Sequence, residues 1–149
     1  MRKLLGFALA TAVGIGAAVA AAGPAQAAPP AIEITRVYVN APGTDTRANK
    51  SVNGEYVKLT NRRSSTISLK SWTVRDKANH VHKFGDVKLK PKASLYLHSG
   101  KGTNTSTKRY WGSGWHIWNN TGDTAYLRNS SGKLIDSCSW GKVSSYRNC

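Results

Sequence analysis

Apolar and polar positions alternate with a period of two along most of this chain, from residue 32 to residue 140. In Glu55–Asn61 the pattern puts Val57 and Leu59 on one face and Tyr56 and Lys58 on the other. Trp72 and Val74 share a face opposite Thr73 and Arg75, and Leu95 and Leu97 share one within Ala93–Ser99. Short strands are also predicted at Thr66–Leu69 and His80–Phe84, and an apparent hairpin at Asp123–Asn129 and Lys133–Trp140 across a Ser130-Ser131-Gly132 turn. The first segment, Ile32–Asn40, switches its apolar phase between Ile34 and Val37, the mark of a bulge or of a strand changing sheets. Ala41–Val52 reads as a loop, Val87–Lys92 as a basic connector and Gly100–Lys108 as a Gly/Thr/Ser-rich link. No helical periodicity of useful length follows the first 27 residues, so the expected class is all-β, an immunoglobulin-like sandwich of seven to nine strands.

The N-terminus has a different pattern. Arg2 and Lys3 precede an apolar run from Leu4 to Ala22, and Gly23-Pro24 then leads to Ala25-Gln26-Ala27. This is the layout of a cleaved signal peptide, residues 1–27, with cleavage after Ala27 and a secreted product. The domain organisation then reads 28–31 short leader, 32–140 sandwich and 141–149 C-terminal tail. Nothing after residue 28 is apolar enough to cross a bilayer. An exported chain meets an oxidising environment, so Cys138 and Cys149 are expected to bridge and to pin the tail back onto the last strand.

Charge narrows the choice of partner. Of 22 Lys and Arg, Arg2 and Lys3 leave with the leader, and the remaining 20 face 7 Asp and Glu, a net of +13. Such a surface attracts nucleic acid or anionic cell-wall polymer. Arg62, Arg63, Lys88, Lys90, Lys92, Lys108 and Arg109 are the candidate contacts, because they lie in connectors. The competing reading is plain solubility, since the charges are dispersed. The tryptophans offer an alternative chemistry: Trp111 and Trp115 stand among turn-forming residues and could stack on sugars, while Trp118 is expected to pack inward.

Catalytic machinery is not legible. The seven acids form no close pair, and several sit in turns where Asp caps its own backbone. His80 and His82 share a strand face at metal-ligand spacing, but no third ligand stands nearby. His98 and His116 are isolated, and no GxSxG elbow is present. No catalytic, cofactor or metal residue is assigned, and the oligomeric state is left open.

Taken in order, Glu55, Val57, Leu59 and Asn61, then Ser71, Trp72, Val74 and Asp76, then Pro91, then Trp118, Asn119, Gly122, Asp123, Ala125, Leu127, Asn129 and Gly132 resemble the run of motifs in the lamin tail domain family. The chain looks like its secreted, stand-alone bacterial members. The resemblance implies an immunoglobulin-like sandwich used for binding or tethering. It also implies that Trp72 is a core ring and that Trp118, Asn119, Gly122 and Asp123 build the corner entering the last hairpin. Ser71 stands where the family more often has Gly.

Overall fold

The computed structural model describes residues 21–149, so most of the predicted leader lies outside the described residues. The elements in chain order are β1 Ile32–Tyr38, α1 Asn49–Val52, β2 Tyr56–Asn61, β3 Ile67–Ser68, β4 Thr73–Arg75, β5 Val81–Lys83, β6 Lys88–Leu89, β7 Ser94–His98, β8 Lys108–Tyr110, β9 Asp123–Arg128, β10 Leu134–Trp140 and β11 Tyr146–Asn148. A five-stranded sheet, β11-β1-β2-β7-β8, lies on a four-stranded sheet, β10-β9-β4-β5, with a two-stranded ribbon β3-β6 beside them. This is the expected immunoglobulin-like β-sandwich. Its two layers carry nine strands among the described residues, and the ribbon brings the total above the expected range.

One apolar cluster fills the space between the layers. Ile34, Val37, Val57, Leu59, Leu95 and Leu97 come from the five-stranded sheet, and Val74, Ala125, Leu127, Cys138 and Trp140 from the other. Period-two alternation is what delivers them: each strand turns every second side chain inward, so β2 buries Val57, Leu59 and the polar Asn61, and β7 buries Leu95 and Leu97. Trp72, expected in the core, packs against the cluster while half-buried. It sits at the mouth of β4, directly after Ser71, whose φ of 63° turns the chain there.

The phase switch in β1 is a bulge. Register against β2 shifts between Ile34 and Arg36, leaving Thr35 as the extra residue. Were the same residues to run on as an unbulged strand, Arg36 and Tyr38 would follow Ile32 and Ile34 into the core. With the bulge, Val37 and Val39 point inward, and Arg36 and Tyr38 point outward. The bulge is held from the opposite layer: the Asp136 carboxylate accepts the Ile34 N–H at 2.7 Å.

Two expectations need correction. Ala41–Val52 is not all loop, because its end winds into the single turn α1, too short to leave a periodic signature. The tail is tied to the last strand by the expected bridge, but its own residues pair elsewhere. Cys138 and Cys149 are bridged, with Cα atoms 5.7 Å apart, but β11 pairs antiparallel with β1, aligning Tyr146 with Tyr38 and Asn148 with Arg36. The bridge therefore links the two layers, because Cys138 lies in β10 and Cys149 directly follows β11.

Candidate functional site

The outward face of the five-stranded sheet carries two rows of side chains in register. The first row is Tyr146, Tyr38, Tyr56, His98 and Tyr110, one from each strand. The next is Asn148, Arg36, Lys58, Tyr96 and Lys108. Both rows depend on the Thr35 bulge, which supplies Arg36 and Tyr38 to this side. Beyond them, Thr60 and Ser94 pair through their hydroxyls at 2.9 Å.

The rings form a comb rather than a platform. Tyr38 stacks on Tyr56 at 5.4 Å and on Tyr146 at 5.8 Å between centroids, and His98 stacks on Tyr110 at 5.5 Å. Tyr56 meets His98 and Tyr96 edge-on. Ring faces are thus spent on neighbouring rings, and the half-buried side chains turn edges and hydroxyls to solvent. Ring edges carry the positive part of the aromatic quadrupole. The cations beside them are braced: the Arg36 guanidinium lies 4.4 Å from the Tyr146 centroid and donates to Asn148 Oδ1, and Lys58 Nζ lies 5.7 Å from the Tyr96 centroid. Phenolic hydroxyls, ring edges and cations together make a surface suited to anionic oxygen.

The seven cations named from sequence do not form one patch. Arg62 pairs with Glu33 and its carbonyl accepts from Lys92 Nζ, while Arg63 donates to the Pro29 carbonyl. Lys88 and Lys90 line a recess of about 180 Å³ with Ser94, Ser106 and Thr107. Arg109 turns its guanidinium back to the Thr105 and Lys108 carbonyls. Lys108 alone joins the sheet-face row. Sequence reasoning missed Arg36 and Lys58 because it looked for charge in connectors. The period-two pattern already put Lys58 opposite Val57, and the β1 phase switch put Arg36 opposite Val37.

The two candidate sugar-stacking rings part company. Trp115 is 47% exposed, with Arg47 over its ring. Trp111 is half-buried, edge-to-face with Trp118 and close to His82. Trp118 is buried and meets Trp140, whose indole N–H donates to the Asn119 carbonyl. At the corner, the Asp123 carboxylate accepts from the backbones of Lys77, Asn119 and Thr124. Gly122 has a φ of +148°, and a side chain there would meet the Trp140 carbonyl.

A buried polar knot ties the 41–52 segment to the core. Glu55 is 1% exposed and accepts from Ser99 Oγ, the Ile117 and Trp118 N–H groups, and His116 Nδ1 at 3.0 Å. Burial pushes its carboxyl above the usual carboxylate range, against the pull of those donors and of the His116 charge. His116 Nε2 faces Ser51 Oγ at 3.3 Å, the Thr46 carbonyl at 3.3 Å and the Asp45 carboxylate at 3.8 Å. A Ser–His–Glu order invites a nucleophilic reading. However, a general base needs a lone pair at Nε2, and a carbonyl and a carboxylate facing that nitrogen call for an N–H there. The arrangement is a clamp that holds residues 45–51 over Glu55. His80 is likewise engaged, through Nδ1 and its backbone N–H, by the buried Asp76. Among the described residues no three His, Cys, Asp or Glu side chains come together as a metal set.

No curated protein matches this sequence. The family model of the Lamin Tail Domain does, over residues 25–142. That span covers every strand of the fold except β11, together with the tryptophan corner, and the chain belongs to the lamin tail domain family, a non-enzymatic immunoglobulin-like family.

Proposed function

We propose that the mature chain is an exported, non-catalytic tethering module that associates with anionic polymers, such as released DNA or cell-wall polymer, through its basic exterior. The observation that carries this is the separation of the charges. Among the described residues, Arg62 with Glu33 is the one ion pair between a Lys or Arg and a carboxylate. Glu55, Asp76 and Asp123 are buried, and Asp136 is committed to the bulge. Three of the acids are used inside, where they hold turns and loops, Asp45 and Asp86 stand outside, and among the described residues every Lys and Arg but Arg62 lacks a carboxylate partner. The disulfide fits an oxidising compartment.

The test is a binding series of the purified mature protein with DNA, with wall polymer and with a neutral glycan at increasing salt. Affinity for the two polyanions should fall linearly on logarithmic axes, through counterion release. Binding that ignores salt, or that is tightest to the neutral glycan, removes this function and returns the problem to Trp115.

A further inference from the structure

We infer that the outer face of the five-stranded sheet is the polymer track, and that it takes a single polyol-phosphate chain: phosphodiesters joined by hydroxylated carbon linkers, without planar bases. This rests on the polyanion reading above and adds to it a place, a direction and a ligand chemistry.

The direction comes from register. Arg36, Lys58 and Lys108 lie in one row that crosses the strands, so a bound chain runs across the sheet rather than along a strand. Five strands at about 4.8 Å spacing give a track of roughly 19 Å. The row is bounded on one side by the tyrosine comb and on the other by the Thr60 and Ser94 hydroxyls. At its Lys108 end it meets the recess formed by Lys88, Lys90, Ser94 and Thr107, so cations continue past the sheet edge.

The chemistry comes from how the rings are used. A protein that reads single-stranded nucleic acid offers free ring faces on which bases stack. Here Tyr38 has a ring on both faces, and His98 and Tyr110 cover each other. A base gains nothing from such rings. A phosphate gains the cation row, and the linker hydroxyls gain partners on both flanks, phenols on one side and Thr60 with Ser94 on the other.

The experiment uses the mature protein and three probes: poly(glycerol phosphate), an oligothymidylate with the same number of phosphates, and neutral dextran. Tyrosine ring resonances are followed by NMR, and affinities are measured across a salt series. The polyol phosphate should bind at least as tightly as the oligothymidylate and should shift the Tyr38, Tyr56 and Tyr110 rings but not Trp115. The combined Arg36→Gln, Lys58→Gln and Lys108→Gln variant should lose about tenfold or more in affinity and about 2 from the salt slope, at about 0.7 per phosphate contact. A control with Arg62, Arg63 and Lys92 changed to Gln should keep both. If the wild type binds neither polyanion, the tethering function itself fails. If it binds them but the face variant binds equally well, or the tyrosines stay still, the track is wrong and the tether stands elsewhere. If the oligothymidylate binds about tenfold tighter than the polyol phosphate, the rings do open to bases and the ligand class is wrong.

Discussion

Three single residues carry more of the fold than their neighbours, each for a different physical reason. Ser71 holds a φ of 63°, a conformation that costs an L-residue about 1–2 kcal/mol and glycine very little. Glycine gives back part of that through the freedom it adds to the unfolded chain, about 0.5–1 kcal/mol. The Ser71→Gly variant should therefore gain about 0.5–1 kcal/mol in urea unfolding. Its sequence signal was present, as the departure from the family's Gly, but its cause is a backbone angle that composition does not show. Glu55 works the other way. Glu55→Ala removes the acceptor for two backbone N–H groups, Ser99 and His116, and should cost about 3–5 kcal/mol, with Glu55→Gln costing less because one oxygen remains. His82 sets an acid limit. Burial against Phe84 and Trp111, then the Arg109 charge, push its imidazole down to about 4 from an ordinary 6.5. The unfolded chain binds a proton first as pH falls, so the contribution of His82 is complete above pH 6.5 and drains away between 6.5 and about 4. His82→Gln should flatten stability against pH in that window, by about 1–2 kcal/mol after allowing for its partial exposure, read from urea midpoints at each pH.

At the scale of elements, the bulge in β1 absorbs one extra residue and so keeps Arg36 and Tyr38 on the outer face of the larger sheet. Deleting Thr35 would leave Ile-Glu-Ile-Arg-Val-Tyr-Val, which alternates without a break and keeps Ile32, Ile34, Val37 and Val39 inward and Arg36 and Tyr38 outward, so β1 could pair with β2 without a bulge. The deletion is expected to keep the cooperative urea transition at a cost of about 1–3 kcal/mol, as the Asp136 brace and the Thr35–Thr60 hydroxyl contact are disturbed, and a lost transition would show that the bulge itself is required. Asp136→Ala leaves the Ile34 N–H without its acceptor and should cost about 1–3 kcal/mol while the fold survives. Comparing the two separates the bulge from its brace. The strands that alternate cleanly, β2, β4, β7 and β9, were all legible in the sequence, because half-burial forces that pattern on them. The phase slip was legible too, but not its consequence, since parity says which side chains are together and not which strand lies alongside. Pairing was hidden for the same reason. The rows Tyr146–Tyr110 and Arg36–Lys108 exist only in the order β11-β1-β2-β7-β8, which brings together residues more than a hundred positions apart. The connector cations Arg62, Arg63 and Lys92 looked equally good in sequence, yet they bind the protein's own carbonyls and Glu33.

The molecule as a whole joins these parts through its tail. The Cys138–Cys149 bridge fastens β11, an edge strand of one layer, to β10, an edge strand of the other. A closed loop of about a dozen residues stabilises by roughly 2–3 kcal/mol in the loop-entropy model. Its effect is felt locally, because the β11–β1 pairing is short: three aligned residue pairs, flanked by the Ser145 carbonyl accepting from the Val39 and Asn40 N–H groups and the Thr35 carbonyl accepting from the Cys149 N–H. Without the bridge only these exposed contacts hold the tail, and whenever it frays β1 becomes the sheet edge. Tyr146 and Asn148 then leave Arg36, whose guanidinium loses the ring beneath it and the acceptor beside it. Reduction, or Cys149→Ser, should therefore lower the melting temperature. It should also speed amide exchange at β1, the partner of β11, beyond what the fall in global stability explains. Binding to a polyanion should weaken while the salt slope holds, because the positive charges are still in the chain and only the bracing of one of them is lost. A reduced protein that keeps slow exchange at β1 would show that strand pairing alone retains the tail, and the bridge would then be an accessory to the fold rather than the clasp between its layers.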